Sequence, residues 1–220
     1  MPQRDYIERV IEAFAEVLRQ ILGLEQIGRP VEAQELLQSA ARQYLGLSLV
    51  ALDALSIEAV VRLLSAGGSL DVQRCLMLAD LRRAQAAIQE GEGPAITSLE
   101  TRVSAIRLYA EAMAVGGIGV LAGRREDVTS LLEEVRRYEL PVHVRRLVWR
   151  LFLAAGAFAR AEDVLFALVE DHPDDPALVE EGRAAYEALL ERPNAELEAG
   201  GLPRDEVEEA LARLGARWTS

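Results

Sequence analysis

A histidine and two arginines could hold an anion, because His143, Arg146 and Arg150 fall at i, i+3 and i+7. Residues at this spacing share one face of a helix, and a guanidinium grips a carboxylate with two parallel hydrogen bonds. We call these three residues the arginine face. The spacing predicts a contact surface for an acidic partner, with Trp149 beside it as a core or interface anchor. The alternative is a solvated face, or one neutralised by acids of the C-terminal helices such as Glu181.

An acidic loop and a glycine run are two further candidate ligand sites. The loop contains Asp171, His172, Asp174 and Asp175. Its spacing matches no calcium loop, so we expect these residues to end one helix and start the next. The glycines between Gly116 and Gly123 follow no strand and match neither G-x-G-x-x-G nor a G-K-[ST] ending. They predict a helix-terminating loop rather than a phosphate cradle.

The common catalytic and metal-binding motifs are missing from the chain. Its two histidines and one cysteine form neither C-x-x-C nor H-E-x-x-H, and no G-x-S-x-G occurs. Cys75 lies in a helical pattern beside Leu76 and Leu78, which predicts a buried structural thiol. We therefore expect no catalytic residue, no metal site and no cofactor.

The net charge of −12 is concentrated in the last third of the chain. Residues 156–220 contain 16 acidic and 6 basic residues, whereas residues 1–155 contain 20 and 18. Because nucleic-acid binding needs a coherent basic surface, we expect no nucleic-acid partner. The charged N-terminus predicts no signal peptide, and the uncharged run 112–123 is too short to span a membrane. We expect a soluble, cytoplasmic protein.

Apolar residues recur every three or four positions along most of the chain, which predicts an all-α fold. The clearest stripe runs from Tyr6 to Leu22. Helix starts or caps are expected at Pro30, Ser48, Ser56 and Asp175, and helix ends at Gly23 and Gly46. No segment shows the sustained alternation of a strand.

Three glycines, Gly28, Gly123 and Gly156, open similar half-repeats. A glycine permits a tight turn between helices, and a small residue five positions later, such as Ala161, lets the helices approach closely. The last two glycines lie 33 residues apart, close to the roughly 34 of tetratricopeptide repeats. The tryptophan and the leucine-glycine pair of that repeat are missing from the helix before Gly156. The pattern therefore predicts a degenerate tetratricopeptide-like α-solenoid of antiparallel helical hairpins.

The chain also resembles, nearly end to end, a bacterial family of unknown function that carries tetratricopeptide-like helices. The resemblance rests on RDYIERVIEAFAEVLRQILGL, on YELPVHVRRLVWRLFLAAGAFARAEDVLFALVEDHP and on ELEAGGLPRDEVEEALARL. It implies a solenoid-like protein and brings no catalytic residues to this chain. In tetratricopeptide helices the positions of the arginine face often line a concave groove, which implies recognition of an acidic peptide.

Together these patterns predict one helical-repeat domain over residues 1–220. A subdivision would separate an N-terminal helical part, 1–115, from a repeat-like part with an acidic cap, 124–220. The function expected is a non-enzymatic scaffold that binds a protein or peptide partner. Two alternatives stay open: a small-molecule sensor or enzyme with a site near Gly116 to Gly123, and a structural homodimer. Trp218 is expected to be a core or interface anchor.

Overall fold

The computed structural model describes the backbone of residues 2–216 and the side chains of residues 8–215. Helices make up 82% of the structure, and the described part contains no strand. The all-α prediction is therefore confirmed. Trp218 lies outside the described residues.

Twelve α-helices occur between residues 2 and 216. The first six are α1 (Pro2–Gln26), α2 (Pro30–Ala40), α3 (Leu49–Asp53), α4 (Ile57–Leu64), α5 (Val72–Glu92) and α6 (Ala95–Gly116). The others are α7 (Arg125–Arg136), α8 (Val142–Ala155), α9 (Phe158–Asp171), α10 (Pro176–Leu190), α11 (Asn194–Ala199) and α12 (Arg204–Ala216). A π-helical turn, Ala41–Leu45, extends α2, and a 3-10 segment, Ile118–Arg124, precedes α7.

The helices form two compact units, Met1–Val120 and Leu121–Ser220. In the N-terminal unit, α5 is the central helix: it packs along α6 and also contacts α1, α2 and α4. Because neighbours surround α5, its buried residues point in every direction and form no single stripe. They include Cys75, Leu76, Leu78, Leu81, Ala84 and Ile88.

Glycines end some helices of the N-terminal unit but not others. Helix α1 continues through Gly23 to Gln26, so the predicted end at Gly23 is wrong. An interior glycine costs only about 1 kcal/mol relative to alanine, which the packing of a long helix can offset. The turn comes instead at Gly28, whose φ is 73°. Gly46 ends the π-helical turn in the left-handed conformation, with φ 66°, as predicted.

Two of the three predicted side-chain caps are confirmed. The Oγ of Ser56 accepts a hydrogen bond from the amide of Ala59 at 3.3 Å. The Oδ1 of Asp175 accepts one from the amide of Leu178 at 3.2 Å. The predicted cap at Ser48 is wrong, because its side chain makes no such bond. Helix α3 has only five residues. It is stabilised by the burial of Leu49 and Leu52 and not by a side-chain cap.

In the C-terminal unit, helices that follow one another in sequence also contact one another: α7 with α8, α8 with α9, and α9 with α10. The apolar residues of its two half-repeats are buried as predicted, namely Val128, Leu131, Leu132, Ala161, Val164 and Leu165. Their glycines differ, however. Gly156 has φ 82° and ends α8, whereas Gly123 lies inside the 3-10 segment without a positive φ. The prediction that both glycines make the same turn is wrong.

The turn between α8 and α9 is covered by the residues that follow α11. A Cβ atom on Gly200 would lie 2.2 Å from the ring of Phe158 and 2.6 Å from the carbonyl oxygen of Gly156. The carbonyl of Gly200 accepts a hydrogen bond from the amide of Ala159 at 3.1 Å. This bond satisfies one of the amides that the first turn of a helix leaves unpaired. Only glycine fits at position 200 without displacing its neighbours.

We predict that Gly200→Ala lowers the free energy of unfolding by about 1–3 kcal/mol, because the methyl group overpacks a close contact. Gly215→Ala is the matched control, since a Cβ there meets no atom within 4 Å. That substitution, in α12, should leave stability unchanged or raise it by up to about 1 kcal/mol through helix propensity. Urea unfolding followed by circular dichroism measures both; equal effects would contradict the packing argument.

Candidate functional site

The two arginines of the arginine face are paired with acids of the C-terminal unit. Arg146 Nη1 lies 3.3 Å from Asp175 Oδ2, and Arg146 Nη2 lies 3.3 Å from Glu181 Oε1. Arg150 Nη2 lies 2.8 Å from the same oxygen of Glu181. The structure therefore brings the two arginines together around one carboxylate oxygen. This pairing corresponds to the neutralised alternative considered from the sequence.

The other two predicted contact residues lie apart from these ion pairs. His143 is exposed in the first turn of α8, whereas Trp149 is only 2% exposed. The indole of Trp149 therefore belongs to the core beneath the arginine face. Arg145, which was not predicted as a site residue, extends the row of cations: its Nη1 lies 2.6 Å from Asp171 Oδ2.

A recess of about 200 Å³ opens beside Arg145. Its lining comes from α8, α9, the end of α7 and the residues after it, and it includes Arg136, Tyr138, Leu140, Val148 and Val164. At its edge, Arg136 Nη2 lies 3.4 Å from Asp163 Oδ2. The recess thus combines an apolar floor with two guanidiniums. No sequence pattern indicated it, because Arg136 and Arg145 lie on different helices.

The acidic loop joins α9 to α10, and its acids make contacts at the ends of these helices. Asp171 pairs with Arg145, and Asp175 both caps α10 and faces Arg146. The cap at Asp175 is the role that the sequence predicted, whereas the pairing of Asp171 with Arg145 was not predicted. Within residues 8–215, no three acidic, histidine or cysteine side chains lie close enough together to hold a metal ion.

The glycine run ends α6 and allows a close approach within the N-terminal unit. A Cβ on Gly116 would lie 2.5 Å from Cγ1 of Val120 and 3.1 Å from Cγ1 of Val72. Gly117, which caps α6, has φ 76°, a conformation that favours glycine. The predicted helix-terminating loop is confirmed: close packing accounts for Gly116, and the positive φ accounts for Gly117.

The N-terminal unit contains buried polar side chains that were not predicted. They are Asp80, Arg82, Gln85, Ser98, Thr101 and Arg102, all on α5 or α6. One feature of the sequence does indicate that the polar residues of α5 are buried. Apolar residues occur on every face of α5, which is typical of a helix buried on all sides, so its polar residues had to be buried as well.

Arg82 connects α5 to the end of α3. Its Nη1 donates hydrogen bonds to Asp53 Oδ1 and, at 2.8 Å, to Gln85 Oε1. Gln85 Nε2 donates to the other carboxylate oxygen of Asp53 at 3.4 Å. Arg82 is 5% exposed, so its charge depends on these partners. Asp53 is 45% exposed, so this ion pair is buried on the side of Arg82 only.

Further polar contacts lie along the α5–α6 pair. Arg102 Nη1 donates to Ser98 Oγ at 2.8 Å, and Arg102 also forms an ion pair with Glu90. The hydroxyl of Tyr109 donates to Asp80 Oδ1 at 2.6 Å. The Arg102–Glu90 ion pair and the Tyr109–Asp80 hydrogen bond each join α6 to α5. They fix the register of α5 against α6 in a way that apolar packing alone does not.

A cleft of about 440 Å³ opens between the α3–α4 segment and the α5–α6 pair. Helix α6 contributes a polar stripe at i, i+3, i+4, i+7 and i+10: Thr97, Glu100, Thr101, Ser104 and Arg107. The facing segment contributes apolar side chains, including Leu52, Leu55 and Ile57. Its volume falls within the roughly 300–1,000 Å³ of small-ligand sites. The cleft was not predicted, because its walls are distant in sequence.

Two acidic groups of the C-terminal unit have altered proton affinities. Burial raises the pKa of the Glu162 carboxyl, against the opposing charge of Arg213. Burial, together with the charge of Glu162, raises the pKa of the Tyr186 hydroxyl. The charge of Glu162 on α9 therefore acts on the hydroxyl of Tyr186 on α10.

The described residues thus define an all-helical protein with a paired arginine face in one unit and a polar cleft in the other. The chain belongs to a family of unknown function (DUF6483), whose model matches residues 1–218. No curated protein and no solved structure matches the chain. The predicted membership of an unknown-function family is confirmed, and its tetratricopeptide-like character stays a prediction. Among residues 2–216, no helix has both the length and the hydropathy to cross a membrane.

Cys75 is fully buried on α5, as predicted. Its thiol donates a hydrogen bond to the carbonyl oxygen of Leu108 at 3.3 Å. Burial raises the pKa of the thiol to about 12, and the nearby carboxylates of Glu111 and Asp71 add to the effect. Because the thiolate is the nucleophile and the metal ligand, the buried thiol is inert near neutral pH.

We predict that this thiol makes the protein less stable at high pH. In the unfolded chain it ionises near pH ~8.5, whereas the folded protein holds the proton up to about pH 12. The folded state therefore binds more protons in this window, and stability falls as pH rises. The contribution of Cys75 should be about 2 kcal/mol between roughly pH 8 and pH 10.

Urea unfolding at several pH values measures this loss, with Cys75→Ala as the control. The variant should show a shallower decline in unfolding free energy than the wild type over this range. Parallel declines in the two proteins would contradict the assignment.

Proposed function

We propose that this protein is a non-enzymatic interaction protein whose arginine face binds an acidic segment of a protein partner. The observation that carries the proposal is the sharing of one Glu181 oxygen by Arg146 and Arg150. Arg150 is 47% exposed along its side chain, and this contact uses only its Nη2. A guanidinium has five N–H donors, so Arg150 retains donors for a second carboxylate.

The intramolecular ion pairs do not prevent such binding. Arg150 is 47% exposed, so water and salt screen its pair with Glu181, and a pair of this kind contributes only about 0–1 kcal/mol. A partner carboxylate can therefore replace Glu181 at Arg150 at small cost, and the half-buried Arg146 adds its positive charge to the same face. His143, exposed one turn before Arg146, supplies a further hydrogen-bonding group on the same face.

The recess beside Arg145 supports a partner of mixed chemistry. Its apolar floor suits one apolar side chain, and its guanidiniums suit acids on either side of that side chain. An acidic segment with a central leucine would therefore complement both the recess and the arginine face. The apolar contact would add affinity that salt does not screen.

We further propose a tetratricopeptide-like stacking of α7 to α10. The consecutive contacts of these helices, the left-handed Gly156 and the buried Ala161 support this arrangement. A cytoplasmic location and a homodimer stay predictions. The alternative ligand site near Gly116 also stays a prediction. The close packing at Gly116 explains why a glycine occupies this position without any ligand.

We predict that Arg146→Ala combined with Arg150→Ala weakens binding of a glutamate-rich peptide with a central leucine. The expected loss is about tenfold at low salt, because two charge-assisted contacts disappear, and it should shrink as salt rises. Fluorescence anisotropy with the labelled peptide measures both effects. The glutamine counterpart of the peptide should bind no better to the wild type than to the double variant.

Two further variants make the test specific. Arg183→Ala removes one positive charge from the same unit, but Arg183 pairs within α10, with Glu180 and Glu187; it should leave peptide affinity unchanged. Glu181→Gln should raise the affinity, because it frees the two arginines from their shared acid. Unchanged binding by the double variant, or equal losses from it and Arg183→Ala, would exclude the arginine face as the binding surface.

A further inference from the structure

The recess of the C-terminal unit has an excess of positive charge at its edge. Arg136 of α7 and Arg145 of α8 both line it. Within the part of the chain that the structure describes, Asp163 is the only acid in this lining. A ligand with a single negative charge would therefore neutralise the excess. A second negative charge would be repelled, because residues 156–220 contain 16 acidic and only 6 basic residues.

Arg136 is the more loosely paired of the two cations. Its Nη1 lies 3.5 Å from Glu133 Oε1, and its Nη2 lies 3.4 Å from Asp163 Oδ2. Charge-assisted hydrogen bonds are shorter, at about 2.7–2.9 Å. The same oxygen of Glu133 also pairs with Arg160. Asp163 is 62% exposed along its side chain, so water screens its contact and a ligand carboxylate can replace it.

Both guanidiniums can be reached from solvent. The side chain of Arg136 is 30% exposed, and that of Arg145 is 24% exposed. Arg145 uses Nη1 for its contact with Asp171 at 2.6 Å, and a guanidinium has five N–H donors. Arg145 therefore keeps donors beyond those that its ion pair uses. An anion at the edge of the recess meets two cations that still have hydrogen-bonding capacity.

The floor of the recess is apolar and has room for a small ring. Leu140 and Tyr138 are half-buried and Ala167 is exposed, so their side chains are open to a ligand. The buried Val148 and Val164 lie beside them in the lining. The recess has a volume of about 200 Å³, and an apolar cavity of roughly 150 Å³ accommodates benzene. An apolar group that enters the recess removes carbon surface from water on both sides of the contact.

We propose that this recess binds a small carboxylic acid that has one negative charge and an apolar body about the size of a benzene ring. In the bound state the carboxylate accepts hydrogen bonds from Arg136 and replaces its contact with Asp163. The apolar body lies against Leu140, Tyr138 and Ala167. This site needs no protein partner, so it goes beyond the proposed function, although both use the same recess.

Phenylacetate has this chemistry and is the probe, used with the full chain. Titration into the 15N-labelled protein should shift amide resonances of residues 136–148 and 163–167, with a Kd on the order of 1 mM for so small a ligand. Arg136→Gln should weaken binding about tenfold, because it removes the charge that the carboxylate contacts. Arg183→Gln is the control and should leave the Kd unchanged, since Arg183 lies on α10 outside the lining. Equal effects of the two variants would overturn the role of Arg136.

A second pair of variants tests the floor of the recess. Ala167 is exposed on α9 within the lining, whereas Ala184 is exposed on α10 outside it. Ala167→Leu should abolish binding of phenylacetate by filling the recess, and Ala184→Leu should leave it unchanged. Both variants should keep the wild-type Tm, because leucine is a good helix former and each position faces solvent. Undiminished binding by Ala167→Leu would show that the probe binds elsewhere.

Two other probes separate the carboxylate from the apolar body. Phenylacetamide keeps the ring without the charge, and acetate keeps the charge without the ring. Each should bind at least about tenfold more weakly than phenylacetate. Equal binding of phenylacetamide would overturn the role of the arginines, and equal binding of acetate would overturn the role of the floor. The absence of resonance shifts at about ten times the expected Kd of phenylacetate would overturn the proposal as a whole.

Competition with the peptide relates this site to the arginine face. If the central leucine of the glutamate-rich peptide enters the recess, saturating phenylacetate should weaken peptide binding; this expectation rests on the proposed function. The direct titration needs no peptide, and Arg146→Ala with Arg150→Ala should leave phenylacetate binding unchanged. Phenylacetate binding without competition would support the recess site and contradict the placement of the leucine. Peptide binding without phenylacetate binding would overturn the recess site alone.

Discussion

The burial of α5 on all sides is the constraint on which the N-terminal unit depends. A helix surrounded by neighbours cannot turn a polar face to water, so each polar group on it needs a partner inside the protein. Asp80 finds Tyr109 of α6, and Arg82 finds Asp53 at the end of α3. These contacts specify which helices pack against α5 and in which register along its axis. If a neighbouring helix shifted by one residue, charged groups in the interior would lose their partners.

The C-terminal unit uses charge differently. Its arginines lie near the surface and reach acids on neighbouring helices, as Arg150 reaches Glu181 and Arg145 reaches Asp171. Such pairs are screened by water and can exchange partners. The two units therefore show the two roles of an ion pair: in the interior it restricts the fold, and at the surface it remains available for recognition.

The fold could be predicted from the sequence wherever a local rule decides the structure. Apolar periodicity predicts the all-α fold, Gly46 predicts a left-handed helix end, and Asp175 predicts a cap, since each depends on neighbouring residues alone. The predicted end of α1 at Gly23 is wrong because the packing of this helix outweighs the small cost of an interior glycine. The cleft and the pairing of Arg82 with Asp53 join residues far apart in the chain. Local patterns in a single sequence do not predict contacts of this kind.

The contact of Gly200 with Phe158 also bears on the order in which the protein is made. Phe158 is added to the chain before Gly200, so until then Gly200 cannot cover the ring of Phe158. The amide of Ala159 likewise lacks its carbonyl acceptor until then. A chain that ends before Gly200 would therefore leave the ring of Phe158 without this cover and the amide of Ala159 without this acceptor, so the turn between α8 and α9 is completed only by residues added later.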